Sequence, residues 1–269
     1  MDWGNDAAPH MLLIHGIRDQ ARAWDRIAQA FQSRFHVVVP DLRGHGDSEW
    51  SRGSTYSYHE YICDIEQLVR QRELNDVTIV SHSMGGTIAS LFAGIYPSRV
   101  RKLAMIEPIG LYPQMLENDP QTRLRHWIAS NRDLASRIPK RYPSIEEAYS
   151  RMQEANPHLQ PELARYLTVH GSHQNEDGTH SWKFDNHTRA STPYDVPNKD
   201  FIALWNKITC PVLIINSEDG YPHRIGQDDT LRHFRIAELV SVDDAGHWTH
   251  HDQLTKVVQL IDKFLNPLS

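Results

Sequence analysis

The stretch that decides the fold is Val77-Thr78-Ile79-Val80-Ser81-His82-Ser83-Met84-Gly85-Gly86. Its first four residues are rich in β-branched side chains and predict a buried strand of a parallel sheet. Residues 87–96 predict a helix that ends before Pro97. A serine on a sharp turn between a strand and a helix is the setting of a catalytic nucleophile, so Ser83 is the candidate.

This stretch departs from the G-x-S-x-G pattern of such turns at one position, where Ser81 replaces the first glycine. The position requires a small side chain, because the strand and the helix approach closely around a strained serine. The side chain of serine is small enough to meet this requirement. We therefore keep Ser83 as the candidate nucleophile.

Strands and helices alternate on both sides of Ser83. Apolar runs predict strands at 11–14, 37–39, 77–80, 100–106, 211–215 and 238–242, and apolar residues at helical spacing predict helices near 24–31, 58–69 and 251–265. This alternation predicts an α/β fold with a mostly parallel twisted sheet and helices on both faces. Ligands bind at the carboxyl ends of the strands in such a sheet. His15, Asp41, Ser83 and Glu107 all follow strands at that edge.

The alternation stops after Gly110. Residues 111–200 are polar and interrupted by prolines, with helices expected at 123–136 and 145–154 and a long loop at 170–197. We therefore expect a core of residues 1–110 and 201–269, and an inserted helical cap of residues 111–200.

Composition excludes several classes of protein. The formal net charge of -6 argues against a groove that binds nucleic acid. No apolar run approaches the roughly 20 residues that cross a membrane. The first residues lack the zones of a secretory signal, and the lone Cys63 and Cys210 are typical of a reducing compartment. We expect a cytoplasmic protein that acts on a small molecule, and the sequence leaves its oligomeric state open.

A serine hydroxyl becomes a strong nucleophile when a base removes its proton and an acid orients that base. Asp219 follows the strand at 211–215, and His247 follows the strand at 238–242. Both strand ends lie at the edge of the sheet that carries Ser83. The three residues therefore predict a Ser-His-Asp catalytic triad.

The chain order Ser, Asp, His and the His15-Gly16 turn resemble the α/β-hydrolase fold superfamily, in its capped esterase and epoxide-hydrolase-like branch. The resemblance implies an oxyanion hole formed by the backbone N–H groups of Ile17 and Met84. It also implies an alternative acid, because some members carry the triad acid after the strand that Glu107 follows. Members usually have more residues before the His-Gly turn, so we expect a shortened N-terminal hairpin.

The nucleophile separates branches of this superfamily by mechanism. Epoxide hydrolases and haloalkane dehalogenases of this fold use an aspartate where Ser83 stands, so the resemblance implies an acyl-enzyme. We expect a cofactor-independent serine hydrolase that cleaves a small or medium carboxylic ester or lactone. Two alternatives stay open. One is a C–C bond hydrolase acting on ketone-activated substrates, with Arg18 or a cap arginine binding a substrate carboxylate. The other is a non-catalytic ligand receptor on a hydrolase fold.

Large aromatic side chains are the candidates for lining the substrate pocket, since such pockets are mostly apolar. They are Trp127, Trp182 and Trp248. Histidines are frequent in the second half of the chain, but their spacing differs from that of zinc sites; they lie at 170, 173, 180, 187, 250 and 251. We expect neither a metal nor another cofactor.

Overall fold

The computed structural model describes residues 1–51, 56–111, 119–190, 192–227 and 229–266. The strands are β1 (Asp2–Trp3), β2 (His10–Ile14), β3 (His36–Val38), β4 (Val77–His82), β5 (Val100–Ile106), β6 (Ser172–Gln174), β7 (His180–Trp182), β8 (Val212–Asp219) and β9 (Ala237–Gly246). The helices are α1 (Asp25–Phe31), α2 (Tyr58–Gln71), α3 (Met84–Ile95), α4 (Pro120–Ser136), α5 (Ile145–Ala155), α6 (Pro161–Gly171), α7 (Asn198–Trp205), α8 (Thr249–Asp252) and α9 (Leu254–Leu265).

A seven-stranded sheet has the order β1-β3-β2-β4-β5-β8-β9. Its neighbouring strands are parallel, except that β1 pairs antiparallel with β3 through Asp2–Val38 and Trp3–Val37. The predicted α/β fold with a mostly parallel sheet is confirmed. The two-residue β1 at the edge agrees with the shortened N-terminal element that we expected.

Successive side chains of the central strands point to opposite faces of the sheet and build two apolar layers. Leu12 and Ile79 pack with the helices α2, α3 and α7, whereas Leu13 and Val80 pack with α1 and α9. All four side chains are fully buried. Because β4 lies at the centre of these layers, the turn that follows it has a fixed position at the carboxyl edge of the sheet.

The segment between β5 and β8 carries α4 to α7 and a separate antiparallel pair, β6 and β7. The predicted helices at 123–136 and 145–154 are confirmed within α4 and α5. The expected long loop at 170–197 is wrong, because it contains the end of α6 and the β6–β7 hairpin. Strands of three residues are too short to show an alternating pattern in sequence. The expected cap also includes residues 112–118, which lie outside the described residues.

Helix α6 docks against the core through a small apolar cluster. The cluster contains Ala23, Leu159, Leu163, Ala164 and Leu167. Beside it, the Tyr166 hydroxyl donates to Asp25 of α1 and accepts from Arg22. Among the described residues, no helix has both the length and the apolar character that crossing a membrane requires.

Truncating a side chain of this cluster tests how firmly α6 holds to the core. Leu167 is 2% exposed, so Leu167→Ala leaves a cavity and we expect it to lower the free energy of unfolding by about 2–4 kcal/mol. Ile138 is 91% exposed, and Ile138→Ala serves as the control, with an expected change of less than about 0.5 kcal/mol. Urea denaturation measures both. Equal effects of the two substitutions would contradict the docking of α6.

Candidate active site

Ser83 lies on the turn between β4 and α3 in a backbone conformation that is rare for a residue with a side chain, with φ +53° and ψ -122°. Hydrogen bonds hold it there. The Ser83 N–H donates to the Ile106 carbonyl at 3.0 Å, and the Ser83 carbonyl accepts from the Gly86 N–H at 2.9 Å. Strained conformations of this kind persist where the surroundings enforce them, and they are frequent at active sites.

Small residues allow this turn to approach its neighbours. A Cβ on Gly85 would lie 2.5 Å from the carbonyl oxygens of Ile14 and His15. Ser81 is fully buried, and its hydroxyl donates to the Ala104 carbonyl at 3.3 Å. The extra oxygen at the position usually held by glycine is therefore accommodated by a hydrogen bond within the sheet.

His247 reaches Ser83 from the loop that follows β9. Its Nε2 lies 2.8 Å from the Ser83 Oγ, and its Nδ1 lies 3.3 Å from the Glu107 Oε2. A carboxylate only accepts, so it favours the tautomer in which Nδ1 carries the proton and Nε2 accepts from the serine hydroxyl. The His247 carbonyl also accepts from the His82 Nε2 at 2.7 Å, which ties this loop to the end of β4.

The carboxylate that faces His247 belongs to Glu107, which follows β5 and is fully buried. It accepts from the Ser217 N–H at 2.7 Å and from the Tyr221 N–H at 2.8 Å, and the Arg224 guanidinium lies 3.2 Å from it. Burial alone raises the pKa of Glu107, but the hydrogen bonds from His247, Ser217 and Tyr221 and the charge of Arg224 outweigh burial and lower this pKa. Glu107 is therefore ionised at neutral pH.

Asp219 does not take the position that we expected for it. Its side chain is 67% exposed, and its nearest ionic partner is His158 at 3.7 Å. The strand β8 continues through Asp219, which pairs with Gly246 after a shift of register. Among the described residues, no hydrogen bond or ion pair joins the Asp219 carboxylate to His247. The expectation that Asp219 orients His247 is wrong, and the alternative residue Glu107 makes the contact.

Ser83 and His247 open into a cavity of about 770 Å³, which also has Ile17 and Met84 in its wall. Most of the lining is aromatic or aliphatic. It includes Tyr56, Tyr58, Tyr61, Ile109, Trp127, Phe201 and Tyr221. Of the expected pocket residues, Trp127 therefore lies in the cavity of Ser83.

A family model described as the alpha/beta hydrolase family matches residues 11–260. The chain belongs to the alpha/beta hydrolase family. A serine hydrolase-like protein of Danio rerio is 23% identical over 99% of this chain and 84% of its own length. The 3-hydroxybutyrate-oligomer hydrolase of Cupriavidus necator is 29% identical over 91% of this chain and 85% of its own length.

Solved structures agree with this assignment. A thioesterase domain from the curacin biosynthetic pathway superposes with a TM-score of 0.83 at 25% identity, and the match covers 97% of this chain and 93% of that domain. Within the family fold, this hydrolase carries a serine–histidine–glutamate arrangement at the carboxyl edge of the sheet.

A second cavity of about 690 Å³ adjoins the first, and we call it the basic cavity after its five cationic lining residues Arg18, Lys140, Arg141, Arg151 and Arg189. The expected pocket residues Arg18, Trp182 and Trp248 line the basic cavity and not the cavity of Ser83. Their role as substrate-pocket residues stays a prediction. Sequence alone did not separate the two cavities, because the separation depends on how α5 and the β6–β7 hairpin fold over the core.

A buried polar cluster lies behind the active site. Asp19, His250 and His251 each offer one metal-ligand atom, and these atoms lie within 4.8 Å of one another. Burial raises the pKa of Asp19 to about 7 and lowers that of His251 to about 3. Among the described residues these side chains are the ones placed to hold a cation, and the expectation that the protein needs no metal stays a prediction.

The low pKa of Glu107 makes a prediction about stability. A carboxyl whose pKa is lower in the folded than in the unfolded chain stabilises the fold above the ordinary glutamate pKa, and this contribution is lost as the pH falls through the folded-state value. Glu107→Gln also leaves Arg224 without its partner, so we expect a loss of about 3 kcal/mol at pH 7. We expect the difference from the wild type to shrink below about pH 4.

Urea denaturation across this pH range measures the difference. Asp219→Asn is the matched control, since the exposed Asp219 carboxylate should contribute less than about 0.5 kcal/mol. A loss of stability in Glu107→Gln that stays constant from pH 7 to pH 3 would contradict an ionised, hydrogen-bonded Glu107.

Proposed function

We propose that this protein is a cofactor-independent serine hydrolase that cleaves a small or medium carboxylic ester or lactone through an acyl-enzyme. The observation that carries the proposal is the 2.8 Å contact between the Ser83 Oγ and the His247 Nε2 at a cavity large enough for such a substrate. The relatives named as hydrolases and a thioesterase domain support the same class of reaction.

Acylation begins when His247 takes the proton of Ser83 at Nε2 as the Ser83 Oγ attacks the carbonyl carbon of the substrate. The electron pair of the carbonyl moves to its oxygen, and the N–H groups of Ile17 and Met84 stabilise this oxyanion. The carbon–oxygen bond to the alcohol then breaks, and His247 gives its proton to the leaving oxygen. Deacylation repeats these steps with water as the nucleophile.

Glu107 positions His247 and stabilises the imidazolium that forms in each step. Its carboxylate keeps the proton on Nδ1, so that Nε2 is free to accept from Ser83. The hydrogen bonds from Ser217 and Tyr221 fix the carboxylate itself. This role is the one that we first expected of Asp219.

The cap that we expect at 111–200 selects the substrate in this proposal. Its helix α4 contributes Thr122, Arg123, His126 and Trp127 to the wall opposite Ser83. The aromatic lining favours an acyl or alcohol group with apolar surface. Arg18 lines the adjoining cavity, whereas the cap residues Arg123 and Arg189 line the cavity of Ser83, so a cation for the C–C bond alternative would come from the cap.

Other features of the chain support a cytoplasmic enzyme for a small molecule. Cys63 and Cys210 are free thiols, as in proteins of a reducing compartment. The net charge of -6 disfavours a nucleic acid as partner. Neither the proposal nor its test depends on the oligomeric state.

Removal of the nucleophile tests the proposed reaction. We expect the wild type to hydrolyse short p-nitrophenyl esters or simple lactones, and Ser83→Ala to lower kcat by about 10³-fold or more. A fluorophosphonate should label Ser83, which mass spectrometry of the peptide identifies. Ser81→Ala, which changes a buried serine two residues away, should keep both activity and labelling.

Three outcomes would contradict this function. Turnover of the esters by Ser83→Ala at the wild-type rate would exclude Ser83 as the nucleophile. Tight ligand binding by a wild-type protein that is neither labelled nor active would favour the receptor alternative. Cleavage of a β-diketone, but of no ester or lactone, would favour the C–C bond hydrolase.

A further inference from the structure

The charges of the basic cavity are not balanced within it. Its described lining residues include no aspartate or glutamate. Arg141 and Arg151 pair with Asp177 and Glu154 at the surface, at 2.7 Å and 3.5 Å. Exposed pairs of this kind are weak and readily exchange partners. Three of the five cations have no carboxylate partner among the described residues; they are Arg18, Lys140 and Arg189.

Arg18 is the innermost of these cations. Its guanidinium lies 4.8 Å from the centre of the Phe184 ring, and its buried Nε has no hydrogen-bond partner among the described residues. Burial and the charges of Arg189 and Arg137 lower its pKa to about 10, so like charges are crowded here. Arg18 is still a cation at neutral pH. An anion in the cavity would supply the missing partner and relieve this repulsion.

Aromatic side chains also line the basic cavity. They belong to Trp50, Tyr142, Trp182, Phe184 and Trp248. The rings of Trp182 and Phe184 lie nearly parallel, with an angle of 6° between their planes. Guanidinium groups bind phosphate through paired hydrogen bonds, and aromatic side chains stack on planar rings. Together they suit a ligand that carries both a phosphate and a ring.

The basic cavity adjoins the cavity of Ser83. Ile17 and Arg189 line both of them. Ile17 is also the residue whose N–H we place at the oxyanion. A molecule whose carbonyl lies at Ser83 can therefore extend past Ile17 and reach Arg18 and Arg189 with its other end.

We propose that the basic cavity holds a phosphorylated, ring-bearing leaving group of the substrate, whose ester or thioester carbonyl lies at Ser83. This assignment rests on the proposed function. The acyl group occupies the aromatic cavity, and the Ser83 Oγ forms a bond to the acyl carbon. The carbon–oxygen or carbon–sulfur bond breaks, and the phosphorylated alcohol or thiol leaves with a proton from His247. Water then releases the acid.

Binding is measured without turnover in the Ser83→Ala protein, with adenosine 3′,5′-bisphosphate as the probe in isothermal titration calorimetry. We expect binding that weakens at least tenfold when Arg18→Met or Arg189→Met is added. Arg18→Lys keeps the charge and should restore part of the affinity. Arg232→Met is the control, because Arg232 pairs with Asp229 on an exposed turn, and it should leave the affinity unchanged.

Two simpler probes separate the phosphate from the ring. Pyrophosphate and adenosine should each bind more weakly than the bisphosphate, because pyrophosphate lacks the ring and adenosine lacks the phosphates. Absence of bisphosphate binding, equal binding in the Arg18→Met protein, or adenosine binding as tightly as the bisphosphate would each overturn the proposal.

Turnover of two thioesters links the basic cavity to catalysis. Acetyl coenzyme A carries a phosphorylated ring system, and S-acetyl-N-acetylcysteamine has the same thioester without it. We expect the wild type to have a higher kcat/KM for acetyl coenzyme A than for S-acetyl-N-acetylcysteamine. In Arg18→Met the ratio of these two kcat/KM values should fall at least tenfold, because the KM for acetyl coenzyme A rises. High salt should lower the same ratio, because it screens the charges.

The outcomes distinguish this proposal from the proposed function. One outcome is that the wild type cleaves both thioesters equally well and Ser83→Ala cleaves neither. This outcome would support the serine hydrolase and contradict the proposed role of the basic cavity. If the bisphosphate binds through Arg18 but Ser83→Ala retains wild-type turnover, the cavity binds phosphate and the proposed reaction is wrong.

Discussion

Hydrogen bonds from three parts of the chain converge on the buried carboxylate of Glu107, and the geometry of the site depends on them. The Ser217 N–H comes from β8, the Tyr221 N–H from the loop after it, and His247 from the loop after β9. A Cβ on Gly220 would overlap this carboxylate, so the loop approaches as closely as a backbone can. A buried charge with these partners fixes their relative positions, because losing one partner leaves part of the buried charge uncompensated.

The other half of the site is fixed by the sheet. β4 lies between β2 and β5, with apolar layers on both faces, and this packing supports the strained backbone of Ser83. The two halves meet in the contacts of His247 with Ser83 and Glu107. A rigid serine and a rigid carboxylate leave the imidazole between them little freedom, which is the preorganisation that acyl transfer requires.

Sequence patterns predicted the parts of the molecule that are determined by residues close together in the chain. The apolar runs gave the parallel sheet, and the strand ends at Ser83 and His247 gave the serine and its base. The choice between Asp219 and Glu107 was beyond a local pattern, because each residue lies at or just after the end of one of two neighbouring strands, and only the folded position of His247 distinguishes them. The β6–β7 hairpin and the basic cavity depend on long-range packing, so their signal in the sequence was weak.

The central claim is that Glu107 orients the histidine that activates Ser83, and the most direct test compares the fluorophosphonate labelling rate of Ser83 in matched carboxamide variants. The account predicts that Glu107→Gln slows labelling by about 10²-fold or more, because the amide disfavours the productive tautomer of His247. It predicts that Asp219→Asn labels within about threefold of the wild type, since an exposed carboxylate 3.7 Å from His158 has little part in the site. Slow labelling of Ser83 in Asp219→Asn together with labelling at the wild-type rate in Glu107→Gln would contradict this claim.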